Sequence, residues 1–502
     1  MRRTAALIMA GATALTAVPG VVAVPGAAAA ASEERSGSAG PEGLTWGPCP
    51  EEIDTPDLEC STLTVPVDYR EPGGTTIEVH VSRLPSENPA KRRGVLLTNP
   101  GGPGGPGLEY PAQLAAGLPE QVLDSYDLIG MDPRGVGRSA PVTCDLTDEQ
   151  RARGAFPQYA HTSADVREEA TFARTIAEQC ATSSTGWMLP HLTTANTARD
   201  MDRLRAALAE QKVSYLGASY GTYLGATYTT MFPERSDRVV LDSNLGAGGY
   251  DYDAMRGFAR GMADRFPDFA EFAAARPEYG LGTTEAEVTA KFFELAARLD
   301  DTPVEGIDGT IFRGMTFELL YVDALLPLLA EMWQALDENS PLPDPPPSPS
   351  GDMENLMSAR LAVTCADSRW PDSVRDYRRN VAVDRLKYPM LGGSTANVSP
   401  CAFWPDERPE QPVAIGDDGP SNVLMVQNER DPATPLAGAL ELRKAFGSRA
   451  TMVTADQGGH GVYPFGANTC SNEATTEYLT TGRMPAQDMA CAAEPDERVT
   501  GQ

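Results

Sequence analysis

The sequence predicts an α/β fold with a mostly parallel central sheet, helices on both faces and an inserted, mainly helical cap. Three observations carry this expectation. Short apolar runs alternate with helical periodicity in the first half of the chain, the alternation lapses between about Leu245 and Gln411, and it resumes at Asn422. Strand–helix alternation implies parallel strands, because parallel neighbours need a long crossover that a helix supplies.

The elements follow in order. Ser61 to Val67 and Thr76 to Leu84 alternate β-branched and polar residues and read as two antiparallel strands. Gly94 to Thr98 is a short apolar run that ends in N-P-G-G-P-G-G-P-G, and Tyr126 to Met131 is a second, ending in D-P-R-G-V-G-R-S. Thr194 to Glu210 places Met201, Leu204 and Leu208 on one helical face. Val213 to Leu216 reads as a strand, followed by G-A-S-Y-G and a helix to about Phe232; Arg238 to Leu241 is the next strand. After the helical and irregular middle, with its proline-rich link from Pro341 to Ser350, come a strand at Asn422–Gln427 and a helix at Leu436–Phe446. A strand at Ala450–Thr454 and a last helix at about Asn472–Thr480 complete the set. The expected organisation is a core in two parts, 44–244 and 412–502, interrupted by a cap over 245–411. No internal repeat is present.

The chain begins with Arg2 and Arg3, an apolar stretch from Thr4 to about Val24, and small residues from Ala27 to Ala31. That is the order of a signal peptide. Gly11, Pro19, Gly20 and Pro25 interrupt the stretch, and no later run of about 20 apolar residues could span a membrane. A signal peptide over 1–31, cleaved near Ala28 to Ser32, is therefore expected, then a disordered lead or pro-segment over 32–43. The mature protein is expected outside the cell and not on a membrane. Its net charge of −29 repels phosphate backbones, which argues against nucleic acid as a partner.

Eight cysteines, Cys49, Cys60, Cys144, Cys180, Cys365, Cys401, Cys470 and Cys491, read as four disulfides in an exported chain. Sequence does not fix the pairing. Sequential pairing, in which each bond staples a separate loop, is the working expectation. No C-x-x-C pair exists, so neither a zinc site nor a redox motif is indicated, and no metal or cofactor is expected.

Four signals carry chemistry. Gly217-Ala218-Ser219-Tyr220-Gly221 follows an apolar strand and precedes a helix. A nucleophile on such a turn needs small neighbours to relieve crowding and expose its hydroxyl. A serine also needs a base, most often histidine. Only His80, His161, His191 and His460 are available, and His460, in D-Q-G-G-H-G, alone follows both the serine and an acid-bearing strand end. The order Ser, acid, His is that of α/β-hydrolases. Asp431, in Q-N-E-R-D-P, is favoured as the acid over Glu429 and Asp456. The glycine-rich loop Asn99 to Gly107 has no lysine and does not fit a phosphate loop. Its place after a strand suits an oxyanion loop, with the backbone N–H groups of Gly102 and Tyr220 as donors and Gly101 as an alternative to Gly102.

Together N-P-G-G-P-G-G-P-G, D-P-R-G-V-G-R-S, G-A-S-Y-G-T-Y-L-G, E-R-D-P-A-T-P and G-G-H-G, in that order, resemble the secreted tripeptidyl aminopeptidases, relatives of prolyl aminopeptidases within the α/β-hydrolases. The segment Leu189–Asp200 and the C-A-D-S-R-W stretch from Cys365 also fit, and the resemblance runs from about Trp46 to Cys491. It implies Ser219 as nucleophile, Asp431 as acid and His460 as base. It further implies a serine exopeptidase that acts through an acyl-enzyme and releases tripeptides from peptides with a free N-terminus. A prolyl aminopeptidase or an esterase would use the same triad. An exopeptidase must bind the substrate ammonium, which requires a carboxylate in a closed pocket, and Asp367 in C-A-D is the expected anchor.

Overall fold

The computed structural model describes residues 43–494 except 54, 155, 345–351 and 406–409. The expected signal peptide and nearly all of the lead lie outside the described residues, as does most of the proline-rich link. Ten strands form one sheet: β1 Gly47–Pro48, β2 Glu59–Pro66, β3 Thr76–Leu84, β4 Gly94–Asn99, β5 Tyr126–Met131, β6 Val213–Ala218, β7 Ser236–Asp242, β8 Val423–Arg430, β9 Ala450–Gly458 and β10 Met489–Cys491. Their spatial order is β1-β2-β3-β5-β4-β6-β7-β8-β9-β10. The first three run antiparallel to their neighbours, and every pairing from β5 to β10 is parallel.

The central strands are apolar at consecutive positions because both faces are covered. Their side chains alternate between two cores. Leu97, Tyr215, Val239, Leu241 and Met425 point to one face, and Leu96, Leu216, Val240, Leu424 and Val453 point to the other. The helices Tyr220–Met231 and Thr194–Ala207 pack on the first face, and Tyr478 of the helix Thr469–Thr481 on the second. This makes an α/β-hydrolase fold.

Between β7 and β8 the described chain consists of helices and connecting loops, with one isolated bridge of Val304 and Ile307. Its core is aromatic. The fully buried Trp333 ring meets Phe269 at 5.0 Å, Phe312 at 5.5 Å and Phe292 at 5.6 Å between centroids, and its indole N–H donates to Thr316 Oγ1 at 3.2 Å. The helix Ser163–Thr182 is not among the elements the sequence predicts, although Thr162 and Asp165 form a capping box at its start. The cysteines pair in sequence order, Cys49–Cys60, Cys144–Cys180, Cys365–Cys401 and Cys470–Cys491.

Chain order reverses around β4, whose neighbours are β5 and β6. Such a switch point opens a crevice at the carboxyl ends of the strands. The glycine-rich loop leaves β4 there, and Ser219 leaves β6 beside it.

Candidate active site

Ser219 occupies the sharp turn between β6 and the helix Tyr220–Met231, with φ +57° and ψ −125°. That conformation is costly for a residue with a side chain and persists where packing enforces it. Here packing does so. A Cβ on Gly217 would come within 2.5 Å of the Gly221 carbonyl oxygen, and one on Gly221 within 2.8 Å of the Asn99 carbonyl oxygen. The backbone then pins the turn. Ser219 N–H donates to the Asp242 carbonyl at 2.9 Å, and Thr222 Oγ1 donates to the Ser219 carbonyl at 2.6 Å. The half-buried Ser219 hydroxyl makes no hydrogen bond among the described residues.

His460 lies in the loop after β9. Its Nδ1 is 2.9 Å from Asp431 Oδ2 and 3.0 Å from Oδ1. Since a carboxylate only accepts, Nδ1 carries the proton and Nε2 keeps the lone pair that a base requires. Asp431 is buried and also accepts from Ala433 N–H at 2.8 Å, Thr434 N–H at 2.9 Å and Thr434 Oγ1 at 2.9 Å. The rival acids are engaged elsewhere: Glu429 accepts from Thr454 Oγ1 at 3.3 Å, and Asp456 pairs with Arg430. Burial opposes the charged imidazolium, but the charge and hydrogen bond of Asp431, with the charge of Asp242, outweigh it and hold the His460 pKa above its ordinary value.

The glycine-rich loop covers the serine. Gly101 has φ +93°, and a Cβ there would lie 2.5 Å from the Ala218 carbonyl oxygen and 2.9 Å from Ser219 Cβ. Its N–H donates to Asn99 Oδ1 at 3.0 Å and is spent. The N–H groups of Gly102 and of Tyr220, the first residue of its helix, meet no acceptor among the described residues.

A family model described as TAP-like protein matches residues 388–491. Over 474 residues the chain is 36% identical to the tripeptidyl aminopeptidase of Streptomyces lividans, covering 91% of this chain and 88% of that one. The chain belongs to the tripeptidyl aminopeptidase family. It is also 29% identical over 506 residues to the serine protease Hip1 of Mycobacterium tuberculosis, covering 94% of each. With carboxylesterase B of the same organism it shares 30% over 504 residues, 95% of this chain and 93% of that one. This family member is a serine hydrolase of the peptidase type.

Asp367, the expected ammonium anchor, is bonded to the core helix that begins at Thr194. Its Oδ1 accepts from Thr194 N–H at 2.8 Å and its Oδ2 from Thr194 Oγ1 at 2.5 Å, and Thr194 Oγ1 is in turn bonded to Tyr220 Oη. Both oxygens are thus used to hold the start of the helix Thr194–Ala207 and to brace Tyr220 from behind.

Another carboxylate stands unused. The cap helix Gly309–Leu319 carries Glu318, whose side chain has no hydrogen-bond partner among the described residues. Burial pushes its carboxyl up to about 8, against the opposing charge of Arg360. Three residues on, Tyr321 accepts the His460 N–H at 2.6 Å through its carbonyl and sets its ring 5.0 Å from the imidazole. Arg360 bonds Tyr250 Oη. Its helix, Met353–Asp367, rides on the glycine-rich loop so closely that a Cβ on Gly104 would lie 2.9 Å from Arg360 N. Local sequence gives no sign of Glu318, Arg360 or Tyr321, and only the fold of the cap sets Tyr321 against His460.

Proposed function

We propose that this protein is a secreted exopeptidase that releases tripeptides from the free N-terminus of peptides through an acyl-enzyme. The observation that carries the reading is Glu318: a carboxylate without a hydrogen-bond partner among the described residues, in the cap segment that also holds His460. An arriving ammonium would supply the missing partner and ionise the carboxyl, since an opposite charge favours the charged form. The Streptomyces lividans relative, by its name, supports three residues as the unit removed. Four disulfides are the chemistry of an oxidising compartment and support secretion. No helix among the described residues is long and apolar enough to cross a membrane.

In this reading Ser219 Oγ attacks the scissile carbonyl as its proton passes to His460 Nε2. Asp431 stabilises the imidazolium. The N–H groups of Gly102 and Tyr220 receive the oxyanion, aided by the positive end of the helix Tyr220–Met231. His460 then protonates the leaving amine, and the N-terminal fragment remains as an ester on Ser219. Water, deprotonated by His460, hydrolyses that ester and restores the serine. Glu318 holds the α-ammonium throughout, and its distance from Ser219 sets the length of the fragment released.

The test is mass spectrometry of fragments released from a mixed peptide pool, alongside mono-, di- and tripeptidyl chromogenic amides. Tripeptides are expected, together with loss of cleavage on N-terminal acetylation. Undiminished cleavage of acetylated peptides would remove the amine anchor. Ester hydrolysis by the same triad is a second reading, favoured by the likeness to carboxylesterase B, and short-chain esters in the same assay decide it.

A further inference from the structure

Asp242 ends β7 in the middle of the sheet and is followed by Ser243 and Asn244, all three buried. None belongs to the triad, yet together they connect to the three loops that carry it, Asn244 by way of Gln427. The Asp242 carbonyl accepts the Ser219 N–H at 2.9 Å. The Asp242 carboxylate accepts Val462 N–H at 2.9 Å and Tyr463 N–H at 2.7 Å, two and three residues past His460. Ser243 Oγ accepts Gly461 N–H at 2.9 Å while donating to Asp242 Oδ1 at 2.9 Å. Asn244 N–H donates to Gln427 Oε1 at 2.7 Å, and Gln427 Nε2 donates at 2.8 Å to the carbonyl of Thr434, the residue whose N–H and hydroxyl grip Asp431.

The backbone points the same way. Ser243 is held at φ +60°, a conformation that costs a residue with a side chain on the order of 1–3 kcal/mol. The strain aims the Ser243 hydroxyl at the histidine loop while its own N–H donates to the Val426 carbonyl on β8 at 3.0 Å. A buried carboxylate without a cation is expensive. Among the described residues Asp242 has no ion-pair partner, and it is satisfied by two backbone N–H groups and a hydroxyl. An Asn of the same shape could not accept all of these, since half of its head group donates.

We propose that Asp242, Ser243 and Asn244 are positioning residues that fix nucleophile, base and acid to one rigid strip of β7. Asp242 is the central member and also adds negative charge beside the His460 ring. The titratable groups that face it are His460 and, from the helix Tyr110–Ala115, Tyr110. Tyr110 is neutral across the working range, so the charge of Asp242 acts on His460.

This rests on Ser219 and His460 being the reacting pair, so Ser219→Ala is assayed in parallel. If Ser219→Ala keeps its activity, the triad reading fails. If Ser219→Ala is inactive, the strip is judged by Asp242→Asn and Ser243→Ala. Asp242→Asn should lower kcat roughly ten- to hundredfold, the scale set by small displacements of a catalytic group, with KM within about twofold. It should also move the acid limb of kcat/KM to lower pH, because it removes a charge that stabilises the imidazolium. Ser243→Ala should lower kcat less and leave that limb in place. A folded Asp242→Asn protein with unchanged kcat and unchanged acid limb overturns the proposal. Should Asp242→Asn not fold, wild-type kcat in Ser243→Ala does so.

Discussion

The backbone carbonyl of Tyr321, a cap residue, accepts the backbone N–H of His460 at 2.6 Å. The proposed base is therefore held from two sides, by Asp431 on the core and by Tyr321 on the cap. Cap and core are not independent in this molecule. Residues of both belong to one continuous apolar cluster, which includes Trp333, Phe317, Tyr250 and Tyr223.

Asp431→Asn should leave the fold intact and lower kcat by about three to four orders of magnitude, because the amide favours the wrong imidazole tautomer. Steady-state kinetics with a thermal melt check this. A loss below tenfold would return the acid role to Glu429 or Asp456.

The acid limb of kcat/KM should lie above the ordinary imidazole value of 6.5, since burial, which lowers the His460 pKa, is outweighed by Asp431 and Asp242. The sign follows from the role: a base must be neutral, so activity falls as pH drops through the raised pKa. A pH profile with a limb at or below 6.5 would contradict the charge arrangement.

Glu318→Gln should raise KM for free-amine peptides by roughly ten- to hundredfold, the scale of a lost hydrogen-bonded charge contact, with kcat little changed. Esters without an amine should be turned over at the wild-type rate. An equal effect on both substrates would assign Glu318 to the shape of the pocket and not to the ammonium.

Asp367→Ala should cost about 1–3 kcal/mol of stability by stranding the Thr194 N–H and hydroxyl, read by denaturant unfolding. Selective loss of affinity for free-amine peptides, with stability unchanged, would assign the anchor to Asp367.

Trp333→Ala should destabilise the protein by about 3–5 kcal/mol through the cavity left among Phe269, Phe292 and Phe312. Calorimetry reads this directly. An unchanged melting temperature would mean that the cap does not share the unfolding transition of the core.

The proposed triad is legible in the sequence because each member sits just past a strand end marked by local chemistry: glycines around Ser219, proline after Asp431, glycines around His460. With four histidines in the chain, chain order left little choice. Asp367 and Glu318 show where legibility stopped. Asp367 stands in a distinctive C-A-D, yet its partner Thr194 lies 173 residues earlier, a contact no local pattern reports. Glu318 sits in T-F-E-L-L-Y, which reads as ordinary amphipathic helix, and its isolation follows from how the cap folds back. Asp242 was hidden differently. The apolar pattern ends that strand at Leu241, and the next residue, which the sheet includes, is the one that bonds both the Ser219 turn and the histidine loop. The helix Ser163–Thr182 was missed although Thr162 and Asp165 announce it, because buried Glu169 interrupts its apolar face.

The most direct test of the central claim is to label the protein with a fluorophosphonate and locate the adduct by peptide mass spectrometry. The account predicts one adduct, on Ser219, matched by loss of turnover and absent from Ser219→Ala. An adduct on another residue, or wild-type turnover by Ser219→Ala, would contradict it.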